Sequence, residues 1–427
     1  MSSGYPITSL SSFREPSAIR SLQPLLAIPQ MISLGGGAPN PETFPIASIS
    51  LNLTSGETLE LSPAELAVLQ QYTTSTGLPA LSKHLRDLQS LVHNDTTSKH
   101  IVTNGSQDGL AKAFEMLLDP AEDSLLVESP TYSGSLSFLQ PMGIPLVPLS
   151  TDGLGLVPAS LRSTLENWST THSNKKKPRC LYTIPTGSNP SGGTLPLSRK
   201  QEIYEIATEH NVLILEDDPY YYMNFDTLGK ERAASFLSID KTHAESSGGS
   251  RRVLRFDSFS KIISAGLRVG WVTGPSSLID RLELHTQSTL LHPSGLSQAV
   301  VAKLFDGWGG AAGYLEHADS VAAFYMARRD AFVAAATAEL GDRVSFSVPT
   351  AGMFVWMDLR GIDDANELIV RKAVDRKVLL VPGVSFTPGG GTSGWVRASY
   401  STATEVEMKE ACRRLAELLD EENGGAA

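Results

Sequence analysis

Only two cysteines occur in 427 residues, Cys180 and Cys412, too few for a disulfide framework. Cys180 opens an apolar run and Cys412 falls in a helical pattern with Met408, Leu415 and Leu418. Both are expected as buried small hydrophobes in a reducing compartment, and neither has metal-ligand spacing. Long apolar runs are missing as well, and no window is long enough to span a bilayer. Positive charge is in deficit: 35 Lys and Arg stand against 46 Asp and Glu, a formal charge of −11. That argues against nucleic acid and against an anionic membrane surface as partners. The first dozen residues lack the basic and apolar regions of a secretory signal. They also carry no acidic residue before Glu15, so organelle import stays open on this ground. What remains, with 41% hydrophobic and 19% charged residues, is a soluble globular chain long enough for one large and one smaller domain. No internal repeat and no extended low-complexity tract interrupts it.

Prolines at 6, 16, 24 and 29 predict an irregular N-terminal segment without long helices. Helices are expected over 65–69 and 78–91, flanking the loop 70–77. From about residue 100 short apolar runs alternate with helical stretches. Strands are expected at 100–103, 124–127, 145–149, 180–184, 211–215, 251–256 and 269–273, the first followed by a helix to 118. This alternation predicts an α/β fold with a mainly parallel sheet. Polar stretches at 169–177 and 242–250 read as surface loops, and the lysines at 175–177 as a solvated turn. An Ala-rich helical region runs from 295 to about 340. The rest reads strand, helix, strand, strand, helix over 344–359, 366–376, 378–381, 395–400 and 403–419. The expected division is an N-terminal arm over 1–45, a large domain over 46–320 and a small domain over 321–427.

Ligands of such folds lie outside the carboxyl ends of the strands, and the chemistry-bearing loops of this chain follow strands at that end. Central among them is Asp257-Ser258-Phe259-Ser260-Lys261-Ile262-Ile263, with Arg268 seven residues past the lysine. Read alone, such a lysine is most often a solvated surface charge. An amine held among Phe259, Ile262 and Ile263 is poorly solvated, which favours its neutral form, and a neutral amine condenses with carbonyls. The hydroxyls of Ser258 and Ser260 and the guanidinium of Arg268 can hold a phosphate. Ser106 and Gln107 precede a helix, where their N–H groups either cap it or meet the same phosphate. Asp217 closes an apolar strand and fits a carboxylate that keeps a pyridine nitrogen protonated. Its neighbours Glu216 and Asp218 raise a divalent metal site, but three consecutive acids cannot all face one ion from a strand. Tyr220 and Asn189 can hydrogen-bond a phenolic oxygen, and Tyr132 can stack on a flat ring. Arg397, flanked by apolar residues, offers the planar fork that pairs with an α-carboxylate. Together these groups are what a pyridoxal phosphate site needs.

The order and spacing of Asn189, Asp217-x-x-Tyr220, Ser258-x-Ser260-Lys261, Arg268 and then Arg397 resemble the fold-type I pyridoxal phosphate aminotransferases. More narrowly, Gly35-Gly36-Gly37-Ala38-Pro39-Asn40-Pro41, Gln71-Tyr72, Ser129-Pro130-Thr131-Tyr132, Pro185-Thr186-Gly187-Ser188-Asn189-Pro190 and Glu216-Asp217-Asp218-Pro219-Tyr220-Tyr221 resemble one branch. It is the kynurenine/2-aminoadipate branch, which includes the fungal aromatic-amino-acid aminotransferases. The resemblance covers roughly residues 14–415. It implies a large domain with a mainly parallel sheet and a smaller α/β C-terminal domain. It implies that Lys261, Asp217 and Tyr220 are catalytic. Around pyridoxal 5'-phosphate it places Ser106, Gln107, Tyr132, Asn189, Asp217, Tyr220, Ser258, Ser260, Lys261 and Arg268. Toward the substrate it places Arg20, Gly37, Tyr72, Asn189 and Arg397. Arg20 resembles the family's mobile substrate arginine, and Tyr72 implies a homodimer in which it reaches the neighbouring subunit's site. One departure is Gly37-Ala38, where mammalian relatives have Gly-Leu, which leaves the shape of the side-chain pocket open.

The activity implied is a ping-pong transfer of the amino group of aromatic amino acids, kynurenine or 2-aminoadipate to 2-oxoglutarate. Two other classes compete with it. A β-lyase or decarboxylase shares the fold, because fold does not decide chemistry; only transamination yields stoichiometric pyridoxamine phosphate. A non-enzymatic regulator would carry an aminotransferase-like domain behind a DNA-binding module. Its acidity and the short stretch before residue 34 stand against that. The resemblance begins near residue 14, so the expected compartment is the cytosol, with the mitochondrion as the alternative.

Overall fold

The computed structural model describes residues 4–35, 37–172 and 175–424. The chain divides into two units: Met1–Asp119 with Leu237–Glu316, and Pro120–Phe236 with His317–Ala427.

In the first unit the strand Gly270–Gly274 lies antiparallel to both Lys99–Thr103 and Val253–Ser258, with Val272 opposite Ile101 on one side and Phe256 on the other. The two outer strands therefore run the same way, and Thr103 and Ser258 end them at one edge. Helix Ser106–Leu117 follows the first strand and buries Leu110, Ala113, Phe114 and Leu117, an apolar face at helical spacing. It lies close to the sheet: a Cβ on Gly109 would come 2.7 Å from Val272. Helix Pro63–Leu69 starts with a reciprocal cap between Ser62 and Glu65, and Pro79–His93 packs against Gly295–Trp308.

In the second unit Leu213–Asp217, Cys180–Thr183, Leu125–Ser129 and Leu146–Asp152 pair in parallel, and Gly155–Leu156 closes the edge antiparallel. The strand cores, such as Leu125-Leu126-Val127 and Leu213-Ile214-Leu215, are continuous apolar runs with every residue buried, as expected where both faces of a sheet are covered. Ser129, Thr183 and Asp217 consequently end at one edge. A second, antiparallel sheet has the order Val344–Phe346, Phe354–Leu359, Trp395–Ser399, Val381–Pro382. The fold is α/β with a mixed, mainly parallel large sheet, as expected.

Several local expectations change. The Ala-rich region is two helices, Gly295–Trp308 and Ala311–Glu339, parted at Gly309 and Gly310 with φ of 82° and 89°, a conformation that favours glycine. The expected strand 344–359 is two strands. Residues 242–247, expected in a loop, complete helix Phe236–Ser247. That stretch is held by the pair Lys241–Glu245 and ends just before Gly248, at φ 66°. Residues 368–373 form a π-helical turn within the helix expected at 366–376. The polar stretch 169–177 begins inside helix Trp168–Thr171, and its residues 173 and 174 lie outside the described residues, as does Gly36. The N-terminal segment holds only a four-residue helix, Ser9–Ser12, and a 3-10 helix, Arg20–Ala27. A hairpin of Ser50–Asn52 and Thr58–Glu60 has no counterpart in the sequence reading. Both cysteines are free and buried, and burial pushes their thiols up to about 12 and about 11. No helix of the described residues is long and apolar enough to cross a membrane.

Candidate active site

Five of the expected residues sit together in the second unit. Asp217 ends its strand at 3% exposure, and its Oδ2 accepts a hydrogen bond of 2.7 Å from the hydroxyl of Tyr182 on the neighbouring strand. Tyr220, three residues on, is buried edge-on against Phe354 and hydrogen-bonded to Asn189. Burial raises its phenol well above the usual range, with Asp217 and Tyr132 adding to the rise and Arg397 and Asn189 opposing it. The ring of Tyr132 folds over Gly134, where a Cβ would come 2.3 Å from its Cζ.

Arg397 is the cation of this group. It lies half-buried on Trp395–Ser399, where Nη1 donates to Asn189 Oδ1 at 2.8 Å. Its guanidinium stands 4.2 Å from the ring centre of Phe354 and 5.0 Å from that of Phe386. Buried Nε has no hydrogen-bond partner among the described residues. Burial lowers its pKa, while Tyr220 and Tyr132 act to raise it. A desolvated guanidinium stacked on rings, with an amide as its hydrogen-bond partner and one donor unused, can take an incoming anion.

The loop carrying Asn189 is fixed from below. Gly187 and Gly352, at φ 54° and 77°, touch through their backbones. A Cβ on Gly187 would lie 2.7 Å from the carbonyl carbon of Ala351, and one on Gly352 would lie 2.9 Å from the Gly187 oxygen. Only glycine permits that approach.

The remaining cofactor candidates sit in the first unit. Ser258 is buried, and its Oγ accepts from the Ser260 N–H at 3.2 Å. Ser260 Oγ in turn accepts from Arg268 Nη1 at 3.1 Å. Arg268, exposed and at φ 54°, also donates to the carbonyls of Ala265 at 3.1 Å and Asn104 at 3.4 Å. Its guanidinium lies over Gly105, where a Cβ would fall 2.3 Å from Nη2. The next residues, Ser106 and Gln107, open helix Ser106–Leu117. A fixed cation beside a helix N-terminus sets two positive ends together. That arrangement is favourable only with an anion between them, so these residues fit a phosphate. Lys261 is half-buried in the turn Phe259–Lys261. The turn is anchored by Phe259, which is fully buried with ring centres of Trp271, Tyr314 and Phe305 at 4.6, 5.7 and 5.8 Å. Ile262 is buried and Ile263 half-buried.

Arg20 and Tyr72 also belong to the first unit. Arg20 is 9% exposed; its Nη1 donates to the Thr73 carbonyl at 2.7 Å and its guanidinium stands 5.7 Å from the Tyr72 ring. Tyr72 is 53% exposed, its ring edge-on to His292. Both line a cleft of about 660 Å³ with Gln71, Thr73, Glu283 and Gln287. Gly37 faces open space, with nothing within 4 Å of a Cβ.

Residues 59–415 match the family described as aminotransferase class I and II. The chain belongs to this family. It is 41% identical over 430 residues to the mitochondrial kynurenine/alpha-aminoadipate aminotransferase of Bos taurus, covering 97% of this chain and 98% of that protein. Aminotransferase tdiD of Emericella nidulans is 41% identical over 415 residues, 95% of this chain and 93% of its own. Among solved structures, the aromatic aminotransferase Aro9 of C. albicans superposes with a TM-score of 0.87 at 27% identity, over 99% of this chain and 98% of that one. The protein is a pyridoxal-phosphate-dependent aminotransferase, and its substrates are amino acids and 2-oxo acids.

Two buried groups of this aminotransferase escape the sequence reading. Tyr182 supplies the hydroxyl that meets Asp217. The available signal is a tyrosine inside an otherwise apolar buried strand, since a buried phenol needs a partner. Glu128, 1% exposed at the end of strand Leu125–Ser129, accepts from Thr183, Ile184 and Ser188. Its signal is an acid closing the run Leu-Leu-Val.

Proposed function

We propose that this aminotransferase takes amino groups from aromatic amino acids, kynurenine or 2-aminoadipate, and gives them to 2-oxoglutarate in a ping-pong cycle. The observation that carries the proposal is Arg397, a half-buried guanidinium whose hydrogen-bond partner is an amide. A group of that kind suits the α-carboxylate common to all amino donors. The donor side chains are supported by the names of the relatives, kynurenine and aminoadipate in one and aromatic in another.

Bound pyridoxal phosphate supplies a ring that accepts electrons from the donor's Cα. Ser106, Gln107, Ser258, Ser260 and Arg268 hold its phosphate, and Tyr132 covers the ring. Asp217 keeps a proton at the ring nitrogen, while Tyr220 and Asn189 hydrogen-bond the phenolic oxygen. Lys261 is the covalent anchor, and its freed Nζ moves the Cα proton. Arg397 and Asn189 orient the donor carboxylate. Arg20, Gly37 and Tyr72 meet the side chain, Tyr72 in the site of the neighbouring subunit of a homodimer. The functional division is an arm over 1–45, a cofactor domain over 46–320 and a small domain over 321–427. The two buried, inert thiols suit a reducing compartment, and we place the enzyme in the cytosol, which subcellular fractionation checks.

The test is a donor panel with 2-oxoglutarate. Parallel double-reciprocal lines and higher kcat/KM for aromatic donors and 2-aminoadipate than for alanine or aspartate are expected. A preference for alanine or aspartate overturns the substrate class, and intersecting lines overturn the ping-pong cycle.

A further inference from the structure

We infer that Glu128 is a positioning residue that acts through Ser188 and Asn189 to hold Arg397 in place for the substrate carboxylate. This rests on Arg397 being the carboxylate site.

The geometry lies wholly within the second unit. Glu128 Oε1 accepts from the Thr183 hydroxyl at 2.5 Å and from the Ile184 N–H at 3.2 Å. Its Oε2 accepts from the Ser188 hydroxyl at 3.3 Å. One carboxyl thus joins the end of its own strand to the end of the next strand and to the loop beyond it. That loop also closes on itself, with Ser188 N–H donating to Gly193 at 2.9 Å and Gly192 N–H to Ser188 at 2.6 Å. The residue after Ser188 is Asn189, whose side-chain oxygen receives Arg397 Nη1.

Stability does not explain an acid here. The group is fully buried and its three partners are neutral donors. Burial pushes its carboxyl up to about 7 despite them, so the charged form is disfavoured by its surroundings. What the acid provides is reach: two polar oxygens far enough apart to hold the strand end and the loop together, one of them carrying the proton when the group is neutral. A site of this kind loses affinity when a supporting contact lets the loop drift by an ångström or less.

The experiment uses the cofactor-loaded enzyme and two variants, Glu128→Gln and Ser188→Ala, each made alone and on an Arg397→Ala background. Donor KM and kcat are measured, together with the Kd of 3-phenylpropanoate, an unreactive carboxylate, and the thermal midpoint. Glu128→Gln is expected to raise KM and Kd about tenfold, and Ser188→Ala about threefold, the range set by one or two neutral hydrogen bonds. Losses in kcat should stay below about threefold. On the Arg397→Ala background each change should add less than about twofold, because coupled residues are not additive. Unchanged KM and Kd in folded Glu128→Gln overturns the inference, as does a full-sized penalty on the Arg397→Ala background. If Glu128→Gln does not fold, Ser188→Ala decides, and its KM and Kd at the wild-type level overturn the proposal. An Arg397→Ala enzyme with wild-type KM and Kd removes the carboxylate site itself. Impaired Arg397→Ala beside unaffected Glu128→Gln and Ser188→Ala leaves that site standing and removes Glu128 alone.

Discussion

Around Arg268 the polar groups, buried Ser258 apart, are exposed or half-buried and lean on backbone carbonyls and a helix start; around Asp217 all but the half-buried Arg397 are buried, and they hold one another. Arg268 is exposed, whereas Asp217, Tyr220 and Asn189 are 3%, 4% and 5% exposed. The first region presents donors to whatever anion arrives, and water competes for them. The second pairs Asp217 with Tyr182 and Asn189 with Arg397 before any ligand comes, because an unpaired buried group is costly, and leaves Arg397 Nε without a partner among the described residues. The difference teaches where precision is needed. A phosphate tolerates a solvated cradle of several donors, while a ring nitrogen and a carboxylate each need one group in one orientation.

The largest test falls on Lys261, between these extremes of exposure. Lys261→Ala is expected to lose activity by at least about 10³-fold, as proton-transfer groups do at the upper part of their range. Borohydride should no longer fix cofactor to the chain. Full-stoichiometry trapping in that variant would rule the assignment out. Asp217→Asn should keep cofactor yet lose about 10²–10³-fold in kcat; a crippled Asp218→Asn beside a normal Asp217→Asn would mean the wrong acid was chosen. Arg268→Ala sharpens the contrast from the other side. Losing a charged hydrogen bond of about 1.5–3 kcal/mol should raise the cofactor Kd about 10–100-fold, with kcat at saturating cofactor changed only a few-fold. A kcat loss as large as that of Asp217→Asn would erase the distinction between cradle and pocket.

Smaller effects separate the two arginines proposed to meet the substrate. Arg397→Ala should penalise phenylalanine and 2-aminoadipate alike in kcat/KM. Arg20→Ala should penalise 2-aminoadipate more, since a distal carboxylate can take a charged hydrogen bond of about 1.5–3 kcal/mol, whereas a ring gains about 0.5–2 kcal/mol from a guanidinium face. Equal losses in Arg20→Ala would leave it a structural contact to Thr73. The smallest effect is a pH dependence. Glu128 rises from 4.5 to about 7 on folding, so the folded state holds its proton where the unfolded chain has released it. Its contribution to stability is present below about 4.5 and is lost as pH rises through about 7, on the order of 3 kcal/mol in all. Glu128→Gln cannot titrate, so its melting temperature relative to wild type should climb by a few degrees between pH 5 and pH 8. A constant difference across that interval would mean the carboxyl is not perturbed.

Much of both regions is legible in the residues themselves. Asp217 announces itself as one of three acids following Leu213-Ile214-Leu215, and Lys261 as an amine between Phe259 and Ile262, because burial and chemistry are both local properties there. The mixed sheet is legible too, once the short link from 259 to 269 is weighed, since a parallel crossover needs a dozen or more residues. The Tyr182–Asp217 and Glu128–Ser188 bonds are not legible. They join neighbouring strands and a loop, and depend on register and on which face each side chain takes. Helix Phe236–Ser247 hides for another reason. Its sequence past residue 241 is polar, and its contacts include the Lys241–Glu245 pair, the bonds of Asp240 to Arg251 and the Arg252 N–H, and the burial of Phe236 and Leu237 at its start. The break at Gly309 and Gly310 is a matter of backbone angle inside a continuous alanine pattern.

The contact between Gly187 and Gly352 has a mechanical consequence. Two backbones meeting without side chains leave no room for a Cβ between them, so the turn before Phe354 and the loop before Asn189 form one close-packed plate. Arg397 is hydrogen-bonded to that plate at one edge and stacked on Phe354 at another. A guanidinium moving toward a ligand has either to carry Asn189 with it or to break the 2.8 Å bond between them.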